Sequence, residues 1–296
     1  MGLRHAVLER SASGAMVFGD KELDLGRPRI MGILNVTPDS FSDGGQLFRN
    51  QKVDLDALLT RAETMLDSGA DILDVGGEST RPGAEAITES EELDRVLPAI
   101  EALQHRFDTI ISLDSSSPLA MSEAAGLGAG LLNDVRGFQR PGAIQAAAKS
   151  ALPVCIMHMQ GEPAGMQEAP TYTDVVADIS RFFSDRLAAC AQAGIDSSRI
   201  LLDPGFGFGK SVHHNYEILA RLREFQDLGR PLLVGLSRKS MIGQVLNRPA
   251  DERVTASVAL ALMAVERGAR IVRVHDVQPT ADALAMLQAV TQEALQ

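Results

Sequence analysis

Positive charge is scarce in this chain: 28 Lys and Arg stand against 39 Asp and Glu, a net of -11 over 296 residues. A partner as anionic as nucleic acid needs a basic face, so no nucleic-acid partner is expected. A small anionic substrate stays open, because it needs only local positive groups. Cysteine is nearly absent too. Cys155 and Cys190 are too few for a disulfide scaffold and show no metal-ligand spacing, which suits the reducing cytoplasm. Long hydrophobic runs are missing. The longest apolar helix-like stretch, residues 256–265, is too short to span a bilayer. The start of the chain carries Arg4, His5, Glu9 and Arg10 without an apolar core segment, so neither a membrane partner nor a signal peptide is expected.

What is present is an ordinary globular composition, 45% hydrophobic and 23% charged, sufficient for a core without covalent staples. Eight short apolar runs punctuate the chain at residues 30–36, 72–75, 110–113, 131–132, 154–157, 200–202, 232–234 and 271–274. None alternates, which is how strands buried on both faces read. The run at 131–132 is the weakest of the eight. Between them lie helical patterns. Residues 54–66 put Leu55, Leu58, Leu59, Ala62 and Leu66 on one stripe. Thr88 and Glu91 have capping-box spacing ahead of Leu93, Val96, Leu97 and Ile100. Residues 174–193, 214–228, 253–267 and 279–294 also fit helices. Eight alternations predict an α/β fold, a (β/α)8 TIM barrel over residues 29–296, with a doubly wound open sheet as the alternative. Residues 1–28 form an extension with a short β-hairpin, since Gly19-Asp20 separates two apolar triplets. Residues 37–45 and 76–84 are rich in Gly, Pro, Ser and Asp and read as mobile, functional loops.

Specific polar residues stand at the ends of the runs or just after them: Asn35, Asp114, Asn133, His158, Asp203, Ser237 with Lys239, and His275, with Arg273 just inside the last run. A polar turn residue after any one strand is unremarkable. In a barrel, however, all these ends converge on one face, and such a mixed set makes a binding surface. Asp203 offers oxygens to the N–H edge of an aminopyrimidine. Asn133 both donates and accepts, and Lys239 can donate to a ring carbonyl or ring nitrogen. Arg273 and His275 share a strand face and can hold a phosphate, with Asn35 adding a phosphate or metal contact. The run from Gly205 to Ser211 falls one residue short of a nucleotide-binding P-loop. It reads instead as a flexible wall offering the rings of Phe206 and Phe208. His213 and His214 read as a solvated helix start, Cys155 as core, and His158 as either a ligand or a satisfied barrel residue.

The motifs resemble those of one family. MGILNVTPDSFSDGG at 31–45, DILDVGGESTRPGA at 71–84, LNDV at 132–135, MHMQG at 157–161, DPGFGFGK at 203–210, SRKS at 237–240 and RVHD at 273–276 are similar, in order, to the signatures of dihydropteroate synthases. The resemblance implies a TIM barrel, a homodimer built through late helices, and condensation of a dihydropterin pyrophosphate with p-aminobenzoate, aided by Mg2+. It implies pterin binding by Asp114, Asn133, Asp203 and Lys239. Pyrophosphate would be held by Asn35, Thr80, Arg273 and His275, with Asn35 toward the metal. Thr80, Arg81, Pro82, Phe208, Ser237 and Lys239 would receive p-aminobenzoate, where sulfonamides would compete. Asp114, Asp39, Arg81 and Lys239 would be catalytic, and Asp39, Phe41 and Ser42 would belong to a loop that closes over the site. Two departures stand out: SLDSSSP at 112–118 lacks a lysine common in the family, and Glu162 replaces a small or amide residue. Two rivals remain. A methyltetrahydrofolate-type methyltransferase domain would require a cobalamin partner, and a non-catalytic pterin-binding paralogue would release no pyrophosphate.

Overall fold

The eight apolar runs become eight parallel strands in a computed structural model that describes residues 14–38, 47–49, 52–79, 87–162, 165–166 and 170–293. A hairpin of β1 (Ala15–Phe18) and β2 (Lys21–Asp24) precedes β3 (Arg29–Asn35), and a second small hairpin pairs β4 (Phe48–Arg49) with β5 (Lys52–Val53). The remaining strands are β6 (Ile72–Gly76), β7 (Ile110–Asp114), β8 (Leu131–Asp134), β9 (Val154–Met157), β10 (Ile200–Asp203), β11 (Leu232–Val234) and β12 (Ala269–Val274). From β3 and β6 to β12 they pair in chain order, and β12 pairs back onto β3. The sheet closes, which rules out the open doubly wound alternative. The run at 131–132, barely a strand on its own, is held between two neighbours as β8.

The helices are α1 (Leu55–Asp67), α2 (Glu89–Arg106), α3 (Pro118–Gly126), α4 (Ala143–Ser150), α5 (Val175–Gln192), α6 (Val212–Ala220), α7 (Ser240–Leu246), α8 (Val254–Glu266) and α9 (Val277–Glu293). The expected capping box of α2 is present: Thr88 Oγ1 accepts from Glu91 N, and Glu91 accepts in return from Thr88 N at 2.8 Å. Two expectations need correction. Leu55 opens α1 at the edge of the core and is exposed, while Leu58, Ala62 and Met65 are buried. The helix expected at 214–228 breaks at Arg221 into a 3-10 segment, Leu222–Leu228. Three residues per turn there bring Leu222 and Phe225 inward together. No described helix is long and apolar enough to cross a membrane.

Side-chain alternation explains why the strands read as unbroken apolar runs. Outward residues meet the helices in one large cluster. Inward, each barrel strand gives one residue to a second cluster: Met31, Ile72, Ile110, Leu131, Cys155, Leu201, Leu233 and Ile271. Met16, Phe18, Leu23 and Leu25 of the N-terminal segment join the same cluster, so the hairpin stoppers one end of the barrel. Cys155 is buried and belongs to this layer, as expected. Two residues further along five of these strands, the same inward direction reaches Asp74, Ser112, Asn133, Asp203 and Arg273. An apolar floor is thus succeeded by a polar ring.

Candidate active site

That ring opens into a concave polar cavity, the form small-molecule sites commonly take. Asn35, Asp114, Asn133, Asp203, Phe208, Lys239 and Arg273 all line it, although they come from five strands and two loops. Arg273 is the joint at its centre. Its Nε donates to Asp74 Oδ2 at 2.5 Å and its Nη2 to Asp114 Oδ2 at 2.8 Å. The two carboxylates hold the guanidinium firmly charged despite its burial. Burial pushes the Asp114 carboxyl upward; Arg273 opposes this, and neighbouring Asp74 adds to it. Asn133 Nδ2 lies 3.4 Å from Asp74 Oδ2, so the carboxamide is oriented from behind.

Asp74 is the functional residue that reading the sequence missed. It is fully buried, and the signal was there: a carboxylate inside an otherwise apolar run requires a buried partner. Arg273, inside the last run, is that partner, 199 residues away.

Asp203 uses Oδ1 to accept from Gly205 N at 2.7 Å, which leaves its other oxygen toward the cavity. Burial raises its pKa, and Lys239 is the largest opposing influence. Lys239 in turn is pulled down to about 8, first by burial, with Asp203 opposing. Its Nζ donates to the Phe206 carbonyl and sits 4.6 Å over the Phe208 ring. The glycine-rich wall is therefore pinned and not free, contrary to expectation. Lys210 pins it a second time, donating to the Phe208 carbonyl at 2.9 Å and to His158 Nδ1 at 2.9 Å. Gly205 and Gly209 take positive φ, and a side chain at either would collide with the carbonyls of His158 and Gln160. Phe206 turns into the core and only Phe208 faces the cavity, which corrects the two-ring expectation. His158 is the satisfied barrel residue of the two readings: burial, then the Lys210 charge, push its imidazole down to about 2, so it stays neutral.

Ser237 and His275 are not among the residues lining the cavity; they pair with each other, Ser237 Oγ accepting from His275 N at 3.2 Å and lying 3.0 Å from its Nδ1. His214 is not simply solvated: Nδ1 accepts from Ser211 N at 3.3 Å, closing a cap on α6. Both sequence departures have local uses. Ser116 donates to Asp134, Ser117 caps α3, and Glu162 accepts from Arg136 at 3.3 Å. Asp39, Phe41, Ser42, Thr80, Arg81 and Pro82 lie outside the described residues.

Chemically, the cavity offers donors and acceptors in a ring for a flat polar heterocycle, with a guanidinium at its side for an anion. The pattern of one family, described as pterin binding enzyme, matches residues 31–275. Dihydropteroate synthase of Escherichia coli K12 is 54% identical over 267 residues, 90% of this chain and 93% of that one. The Yersinia pestis dihydropteroate synthase in complex with a sulfonamide drug superposes with a TM-score of 0.90 at 52% identity, covering 94% of this chain and 99% of that chain. The Xanthomonas albilineans dihydropteroate synthase in complex with 7,8-dihydropteroate gives 0.83 at 44%, covering 93% and 98%. With one barrel, one polar ring and half-identical relatives matched nearly end to end, the chain belongs with the dihydropteroate synthases in the pterin-binding enzyme family.

Proposed function

We propose that the cavity joins 6-hydroxymethyl-7,8-dihydropterin pyrophosphate to p-aminobenzoate, giving 7,8-dihydropteroate and pyrophosphate, a transferase reaction of folate biosynthesis. One observation carries the reading: Asp203, Asn133 and Lys239, partners for a ring edge, line the same cavity as Arg273, a partner for an anion. In this assignment Asp114, Asn133, Asp203 and Lys239 hold the pterin. Asn35, Thr80, Arg273 and His275 receive the pyrophosphate. Thr80, Arg81, Pro82, Phe208, Ser237 and Lys239 receive p-aminobenzoate, and a sulfonamide would compete there.

The leaving C–O bond breaks with both electrons going to pyrophosphate, and the remaining carbon becomes a cation delocalised into the pterin. Asp114, with Asp39, stabilises that cation, while Arg273 and His275 take up the growing negative charge. The p-aminobenzoate nitrogen then bonds to the carbon and releases a proton to water. The metal site is assigned to Asn35. Among the described residues no three acidic, His or Cys groups gather to hold a metal alone. A single carboxamide oxygen fits an ion that arrives held by substrate phosphates and water, as Mg2+ commonly does. Bound so, Mg2+ would neutralise charge on the leaving group.

A coupled pyrophosphate assay tests the reading. Fast release is expected only with the pterin pyrophosphate, Mg2+ and p-aminobenzoate together, and slow release, with the water adduct as product, without p-aminobenzoate. Release that continues after chelation removes the metal assignment, and no release with all three removes the function.

The reading extends to a cytoplasmic homodimer. Val245, Leu246, Met263, Met286 and Val290, on α7, α8 and α9, are all exposed large apolar side chains, and such faces mark association sites. Sedimentation at twice the chain mass is expected, falling to one chain mass for Met286→Asp with Val290→Asp. A monomeric wild type would sink this part alone.

A further inference from the structure

Between Ser237 and Lys239 stands a residue in an unusual backbone conformation. Arg238 has φ of 58°, the left-handed region that a side chain disfavours and that persists only where surroundings over-determine it. Here they do. Arg238 N donates to Ser257 Oγ at 2.9 Å, and its side chain forks onto Asp276 at 2.9 and 2.6 Å. Its carbonyl accepts from Arg253 Nη1 at 3.0 Å, and the same Nη1 reaches the Lys239 carbonyl at 3.4 Å. Arg253 is itself placed by Nε donating to the Arg248 carbonyl at 2.9 Å, and Ser257 by donating to the Arg253 carbonyl at 2.7 Å.

A separate observation points the same way. Gly243 occupies the interior of the short helix α7, where glycine is a poor helix former. A methyl group there would land on the Arg253 guanidinium. The helix keeps a gap in its side-chain surface, and Arg253 lies in it on the way to the two carbonyls.

We propose that Arg253, admitted by Gly243 and locked by Ser257, is a positioning residue that holds the strained turn at Arg238 and thereby aims Lys239 into the cavity. The inference rests on the assignment of Lys239 to both substrates and extends it to residues outside the cavity. Released, Arg238 would relax to an ordinary backbone conformation, and the Lys239 ammonium would leave its place over Phe208 and beside Asp203.

Three variants test this in the pyrophosphate assay and by calorimetry of pterin binding. Arg253→Ala and Gly243→Ala are each expected to raise KM for both substrates about tenfold or more, with a smaller change in kcat, and to weaken pterin binding in parallel. Arg253→Lys, which reaches one carbonyl instead of two, should recover part of the loss. Gly243→Ala keeps the Arg253 side chain and evicts it, so loss of charge and loss of position separate. Thermal unfolding is followed beside them: a merely structural role lowers the unfolding temperature and leaves KM where it was. Wild-type KM values and pterin affinity in both alanine variants overturn the inference and leave the proposed function standing. A wild-type protein that binds no pterin overturns both.

Discussion

Arg273→Ala is expected to lower kcat/KM more than a thousandfold and to destabilise the fold by about 3–5 kcal/mol, the usual result of stripping one partner from a buried ion pair. Asp74 is wholly buried, and Asp114 keeps 15% of its side-chain surface. Without the guanidinium the two carboxylates face one another with the cation they share removed, and the anion partner of the cavity is gone as well. Arg273→Lys should fail differently: one ammonium meets one carboxylate, so stability returns in part while activity stays low. Urea unfolding, read beside the pyrophosphate assay, separates the two losses. An Arg273→Ala protein as stable as wild type would remove Arg273 from its place as the joint of the site.

Asp203→Asn is expected to weaken pterin binding by roughly thirty- to several-thousandfold, the range that corresponds to about 2–5 kcal/mol for truncating one side of a buried charged contact. The substitution is chosen because the asparagine carbonyl can still accept from Gly205 N, now bonded to Oδ1 at 2.7 Å. The turn is thereby kept, and the change falls on the oxygen that faces the cavity. An amide nitrogen there would oppose the N–H edge it is assigned to receive, donor against donor. Calorimetry with a pterin ligand reads the effect without turnover, and wild-type affinity would remove Asp203 from the pterin assignment.

The barrel was legible because its strands are buried twice over. Inward and outward faces are both apolar at the floor, so each strand appears as a continuous run, and eight runs leave few architectures. The convergence of Asn35, Asp114, Asn133, Asp203 and Lys239 on one cavity was legible because a position at the end of a run is a position at the mouth. Where the reading failed, a long-range partner decided the outcome. Asp74 looked like an interruption in an apolar run until Arg273 met it. The wall at residues 205–209 looked loose because glycine permits motion; the carbonyls pinned by Lys210 and Lys239 remove it. The inward turn of Phe206 follows from which side of that pinned wall meets the core. Likewise nothing in SRKS announces a left-handed arginine, because the strain is imposed by Arg253 and Ser257 from another helix.

The hairpin that packs Met16, Phe18, Leu23 and Leu25 against the barrel floor makes the chamber a cul-de-sac. Among the described residues, traffic is left the opposite end, where the polar ring stands. Under the proposed reaction the pterin, seated against the polar ring, must enter before p-aminobenzoate, whose assigned partners Phe208 and Ser237 lie past the strand ends. A visitor that takes the outer berth first bars the inner one, and the joined product has to back out as one piece before the next pair can enter.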